Sequence, residues 1–263
     1  MSEIVKTEAV VLKAIKYRDT SKIVTFFSKE HGKLSAILKG ARSSKTMYGN
    51  ALEPMSHVAL VLYEKKGRDI QTLTQCEPVH AYRHLFEDFD KMGIGMAVIE
   101  LIRDIAHEQE KNVPLFHLLT ETLNALNSAS RNYLNLFFYF EIRMLDILGF
   151  SPSFGQCIEC GEDIFPAGSV VKKVDFHLEK GGPLCQECRN ASGLKVSISV
   201  QSLKVLDHLF SEKDIKKITN LKIENGTGLE IESLLFAYLR HHVSGVKALK
   251  TRKMFRGMNS LPS

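Results

Sequence analysis

Four of the five cysteines fall into two pairs with the same internal spacing, Cys157-Ile-Glu-Cys160 and Cys185-Gln-Glu-Cys188, with 24 residues between the pairs. A Cys-x-x-Cys turn aims two thiolates at one point, and two such turns together complete a tetrahedral sulfur shell that zinc accepts readily. The separation is a little longer than a usual zinc-ribbon span, so the insert must fold back as a hairpin. Val170-Val171 and Val174-Asp175-Phe176 read as strand, and Gly181-Gly182-Pro183 supplies a turn just before the second pair. A shell filled by four cysteines leaves no open position, which points to a structural ion rather than a catalytic one. Two disulfides, or four reduced thiols without metal, are the alternatives. Disulfides suit secreted chains, and Ser-Glu-Ile-Val-Lys after Met1 contains no apolar run of signal-peptide type.

The other reactive side chains form no pattern of this kind. Cys76 stands alone in a β-rich stretch, where a thiol is read as a small buried hydrophobe. There is no Walker-type glycine loop, no Gly-x-Ser-x-Gly elbow and no His-Glu-x-x-His helix. His241-His242 and the scattered carboxylates have no mutual ligand spacing, so a non-enzymatic protein is expected. A metal-dependent nuclease would require an open ligand set, and the chain shows none.

Cations are distributed unevenly. Residues 1–80 hold 13 Lys and Arg against 8 Asp and Glu; residues 81–150 hold 6 against 10; residues 151–263 hold 16 against 12. A basic front, an acidic middle and a basic end suggest modules that meet different partners. Lys39-Gly-Ala-Arg42-Ser-Ser-Lys45 alternates cations with small and hydroxyl residues. Lys39, Arg42 and Lys45 are therefore candidate phosphate contacts, with a solvated loop as the alternative. The stretch from Lys247 to Arg256 carries five basic residues and no acid, a weaker candidate of the same type.

These groups need elements to position them. Strand-like segments run over Thr7–Ile15, Ile23–Phe27, Leu34–Leu38, Val58–Tyr63 and Ile70–Cys76, with one long connection after the third. Five short strands in that arrangement predict a small closed barrel of the OB-fold type, with a flat sheet as the competing arrangement. From Ala81 the apolar period becomes helical through Ile105, with a possible break at Gly93 and Gly95. Further helices are expected over Leu115–Leu126 and Asn132–Leu148. Gly149 is placed to cap the last of these, and Pro152 to prevent its continuation. Ser199–Phe210 and Ile231–Val243 complete the helical set. The most apolar stretch, Leu134–Phe150, is interrupted by Glu141, Arg143 and Asp146 and is not read as a membrane span. The reading is thus an α+β chain in four parts: a barrel at 1–80, a helical domain at 81–150, a zinc-binding element at 151–195, and C-terminal helices with a basic tail at 196–263.

Two groups of segments resemble a known family. Ala9-Val-Val-Leu-Lys13, Tyr17 to Phe27, His31-Gly-Lys-Leu34 and Lys39-Gly-Ala-Arg42 are similar, in order, to the opening of the bacterial RecO recombination mediators. Leu148-Gly-Phe-Ser-Pro152, leading into Cys157-Ile-Glu-Cys160-Gly161, resembles the same family about 130 residues further on. The resemblance covers nearly the whole architecture and is weakest beyond residue 195. It implies an OB-fold, a central helical domain and a zinc element held by Cys157, Cys160, Cys185 and Cys188. It also implies a protein that binds single- and double-stranded DNA and anneals complementary strands. With RecR, such a protein helps RecA displace the single-stranded-DNA-binding protein SSB; RecF is a further candidate partner. The implied location is the cytoplasm, at the nucleoid. A scaffold that binds repair proteins and meets DNA only through them is the alternative. One departure concerns mode: the chain has no Trp, and Phe26-Phe27 cannot both face outward from a regular strand. Electrostatic tracking of the backbone is therefore expected rather than base stacking.

Overall fold

The computed structural model describes residues 2–40, 49–65, 67–80, 82–168 and 170–246. Five strands, β1 (Ser2–Tyr17), β2 (Ser21–Ser28), β3 (Gly32–Leu38), β4 (His57–Lys65) and β5 (Ile70–His80), close into a barrel in the order β1-β2-β3-β5-β4. All pairings are antiparallel except β3 with β5, which run parallel over Ser35–Ile37 and Ile70–Thr72. This is OB-fold topology, as the strand spacing predicts. β1 is long enough to pair with β4 through its first half and with β2 through its second, and a bulge between Val11 and Lys13 bends it from one partner to the other.

Alternation decides what fills the barrel. Val5, Ala9, Val11, Val24, Phe26, Leu34, Ala36, Leu38, Val58, Leu60, Leu62, Leu73 and Cys76 point inward and form its core. Cys76 lies there as a 4 % exposed thiol, and its burial pushes it up to about 12, well away from thiolate chemistry.

The helical period after the barrel splits into α1 (Arg83–Glu87), α2 (Phe89–Ile105) and α3 (Val113–Ser128). The break falls at Asp88, not at the glycines. Asp88 is extended, and its carboxylate accepts the N–H groups of Asp90 and Lys91, so it caps α2. Gly95 lies inside α2 because a Cβ there would come within 2.5 Å of Met55 Sδ. Pro114 occupies the first turn of α3 as expected, with Asn112 Oδ1 accepting the Leu115 N–H. The α2–α3 connection then returns to the barrel. Lys33 N–H donates to the His107 carbonyl and Gln109 N–H donates to the Lys33 carbonyl, so Glu108 forms a single parallel bridge beside the start of β3.

The chain divides into two compact units, with the boundary between Ser128 and Ala129. Helices α1–α3 therefore belong with the barrel. The second unit contains α4 (Leu134–Ile147), β6 (Lys173–His177), β7 (Gly182–Leu184), β8 (Lys195–Ser199), α5 (Val200–Ser211), α6 (Ile215–Ile218) and α7 (Asn225–His242). Sequence periodicity places α4, α5 and the core of α7, but misses α6, β8 and the first turns of α7. Every residue of α4 from Asn135 to Ile142 is buried, so this helix is the axis of its unit. It ends in a Schellman motif: Gly149, at φ +85°, donates to the Asp146 carbonyl and Phe150 donates to the Leu145 carbonyl. Among the described residues, no helix is long and apolar enough to cross a membrane.

Candidate functional site

Backbone geometry brings the cysteines together. Cys157 N–H donates to the Glu162 carbonyl and Gly161 N–H returns to the Cys157 carbonyl, which closes the first knuckle; Gly161 takes φ +78° at its corner. The insert folds back as expected, and Val174-Asp175-Phe176 lies in strand β6 as foreseen, whereas Val170-Val171 forms no strand. Val170 is 90 % exposed and outside any strand. The turn comes earlier, at Leu178–Gly181, with Gly181 N–H on the His177 carbonyl, and Gly182-Pro183-Leu184 is itself strand β7. β6 lies between β7 and β8 in a three-stranded sheet. β7 ends immediately before Cys185 and is tied to the first knuckle by Ile158 N–H on the Pro183 carbonyl. The loop that follows the second knuckle is strapped over His177. This fully buried ring meets the Ser192 carbonyl through Nε2 at 2.7 Å, and a Cβ on Gly193 would collide with it at 2.5 Å.

The four sulfur atoms lie within 4.8 Å of one another, and Cys160 Sγ and Cys185 Sγ are 3.7 Å apart. A tetrahedron with metal–sulfur bonds of about 2.3 Å has edges of about 3.8 Å, so the four side chains form a shell that can hold a metal ion. The electrostatics agree. Burial pushes the Cys157 thiol up, but the N–H groups of Cys185, Cys160 and Glu159 aimed at its sulfur prevail and hold it near about 6. Cys188 is pushed well up by sharing protons with Cys185 and Cys160, because four sulfurs this close cannot all ionise without a cation among them. Cys157 is buried and Cys160 is exposed, so the shell sits at the edge of its unit rather than in a cleft.

The barrel presents the other predicted group. Lys39 is exposed at the turn that follows β3. Arg42 and Lys45 lie outside the described residues, as does the basic stretch 247–256. Strand register places Lys16 opposite Lys22 and Lys22 opposite Leu38, so Lys39, Lys16 and Arg18 share one end of the barrel. Lys22 is paired with Glu53 at 3.1 Å. Phe26 and Phe27 provide no stacking surface: Phe26 fills the barrel core, and Phe27 faces out but packs on Phe116 of α3, with ring centroids 6.3 Å apart. The exposed aromatics of the barrel are instead Tyr17, beneath the Arg18 guanidinium at 5.3 Å, and Tyr63. Neither sits in an aromatic run, so neither stands out in the sequence.

Fold and site define a class: an OB-fold barrel with a helical unit that carries a four-cysteine shell able to hold a metal ion. Residues 1–82 match the family model described as "Recombination protein O N terminal", and residues 86–253 match "Recombination protein O C terminal". The chain belongs to the RecO family. It is 32 % identical to a protein from Chloroherpeton thalassium named "DNA repair protein RecO", over 95 % of this chain and 97 % of the relative. A protein of the same name from Chlorobium limicola is 39 % identical over 68 % of this chain and 69 % of its own length. Another, from Alkaliphilus metalliredigens, is 28 % identical over 92 % of this chain and 95 % of its own.

Proposed function

We propose that this protein is a DNA repair and recombination mediator that binds single- and double-stranded DNA and anneals complementary strands. With RecR it helps load RecA onto DNA coated by SSB, and it works at the nucleoid without performing bond-making chemistry of its own. The observation that carries the reading is the closed OB barrel, whose exposed cationic end holds Lys39, Lys16 and Arg18, in a chain of the RecO family. Annealing needs no catalytic residue. Cations that neutralise two phosphate backbones lower their mutual repulsion, and base pairing then drives the reaction. Lys39, Arg42 and Lys45 are the proposed phosphate contacts of the barrel. Zinc, held by Cys157, Cys160, Cys185 and Cys188, keeps the second unit folded and takes no part in a reaction step.

The test follows annealing of two complementary, dye-labelled strands coated with SSB, together with binding to single-stranded DNA, at low and high salt. Binding should fall steeply with salt. A Lys39→Glu/Arg42→Glu protein should lose affinity for unrelated sequences by similar factors. Equal binding at low and high salt would sink the proposal.

A scaffold reading is supported by a separate observation. Ile15, Ile23, Ile37, Thr72, Tyr63 and Ile4 follow one another in register around the outside of the barrel, and Ile4, Ile15 and Tyr63 are exposed. An apolar row of this kind suits protein contact. A gel shift with the isolated, metal-loaded chain separates the two: no shift moves DNA contact to the partners.

A further inference from the structure

The second unit contains a lysine-bearing segment held at both ends by a single helix and the turn before it. At its start, Arg143 of α4 donates through Nη2 to the Glu212 carbonyl at 2.9 Å. At its end, Asn135 Nδ2 donates to the carbonyls of Ile218 and Leu221, at 3.1 and 2.7 Å, and Asn132 Nδ2 donates to that of Thr219 at 2.9 Å. Arg131 adds a bond to Asn220 Oδ1 at 3.1 Å. Asn135 is 4 % exposed and Ile218 fully buried, so the clamp is part of the core. A surface connection rarely has so many of its carbonyls held by side chains from elsewhere.

The segment displays cations from this fixed frame. Lys213, Lys216, Lys217 and Lys222 are all exposed, and none forms an ion pair among the described residues. The two carboxylates at the start of the segment are turned to the backbone: Glu212 Oε1 accepts the Asp214 N–H, and Asp214 Oδ1 accepts the Lys216 N–H as the cap of α6. The apolar side chains of the stretch, Ile215, Ile218 and Leu221, are buried or half-buried. A protein-binding surface needs an apolar centre. This one offers point charges with Thr219 and Asn220 between them, the composition that grips phosphates without reading bases. Its rigidity lowers the entropy lost on binding.

We infer that Lys213, Lys216, Lys217 and Lys222 form a second phosphate-backbone site, on the unit that does not contain the barrel. One chain then holds two strands at once, and annealing is a two-site operation. This rests on the DNA-binding reading above and adds a location that family membership does not supply.

The test uses the full-length, metal-loaded protein and an oligonucleotide of about eight nucleotides, within the range of one single-strand site. Titration should show two oligonucleotides per chain for the unaltered protein. It should show one for a Lys213→Gln/Lys216→Gln/Lys217→Gln/Lys222→Gln variant, whose annealing rate should fall about tenfold while its melting temperature is unchanged. Exposed Lys→Gln changes leave the clamp intact, so the variant should fold. Two oligonucleotides on the variant, or undiminished annealing by it, would overturn the inference. A single oligonucleotide on the unaltered protein, lost on Lys39→Glu/Arg42→Glu, would overturn it while leaving the barrel site standing. No binding by the unaltered protein would remove both.

Discussion

Two glycines with the same backbone sign do different work. Gly149 has φ +85° and open space around its missing Cβ, so alanine there meets only the left-handed backbone penalty. Gly32 has φ +61°, and a Cβ would lie 2.1 Å from the Glu110 carbonyl oxygen. Gly149→Ala is expected to cost about 1 kcal/mol. Gly32→Ala is expected to cost about 3 kcal/mol, because the Glu110 backbone must move as well. Denaturant titration of both variants checks this, and equal losses would contradict the role given to the Glu110 contact. His57 shows a second residue-scale effect. Its ring is 5 % exposed, lies against Phe116 and His80, and meets Glu8 Oε2 through Nε2 at 3.1 Å. Burial lowers its pKa below the ordinary histidine value, and Glu8 only partly opposes that. The folded protein therefore binds fewer protons at His57 than the unfolded chain does between the folded value and about 6.5. Its contribution is fully present above about pH 6.5 and is lost as the pH falls through the lowered value. Melting temperature should drop over that window in the unaltered protein and drop less in His57→Gln; parallel profiles would rule out His57 as the source.

At the scale of elements, alternation and capping account for most of what formed. The inward residues of β1–β5 could be assigned from the period of two, and α4 from the way its apolar residues cover every face. Gly149 and Pro152 marked its end correctly, since no other residue takes φ +85° as easily. Elements set by remote partners were not visible. β8 exists because Lys195–Ser199 finds an edge on β6, and the isolated bridge at Glu108 exists because β3 offers Lys33 to it. Gly93 and Gly95 suggested a helix break, but close approach to Met55 makes Gly95 a packing residue, and Asp88 takes the break as a cap. In each case the deciding partner lies far away in sequence.

For the whole molecule, the division at Ser128 has a measurable consequence. The four-cysteine shell joins the loop before β6 to the loop after β7, and those strands are only three to five residues long. Removing the metal with a chelator should therefore abolish hydrogen-exchange protection across residues 157–199 while β1–β5 keep theirs. Simultaneous loss in the barrel would show that the metal supports both units.

Sequence by itself determined the five barrel strands, the paired cysteines and the helix α4, because each is written in local spacing: a period of two, an x-x between thiols, apolar residues on every turn. Tertiary structure alone decided where the helical stretch divides, with α1–α3 placed beside the barrel and α4 at the centre of the other unit. It alone buried Phe27 under α3, and it alone brought Asn132, Asn135 and Arg143 to the carbonyls of residues 212–221. Those hydrogen bonds span 69 to 87 positions along the chain. No periodicity encodes them, because a hydrogen bond of that span is fixed only when the packing of both elements is complete.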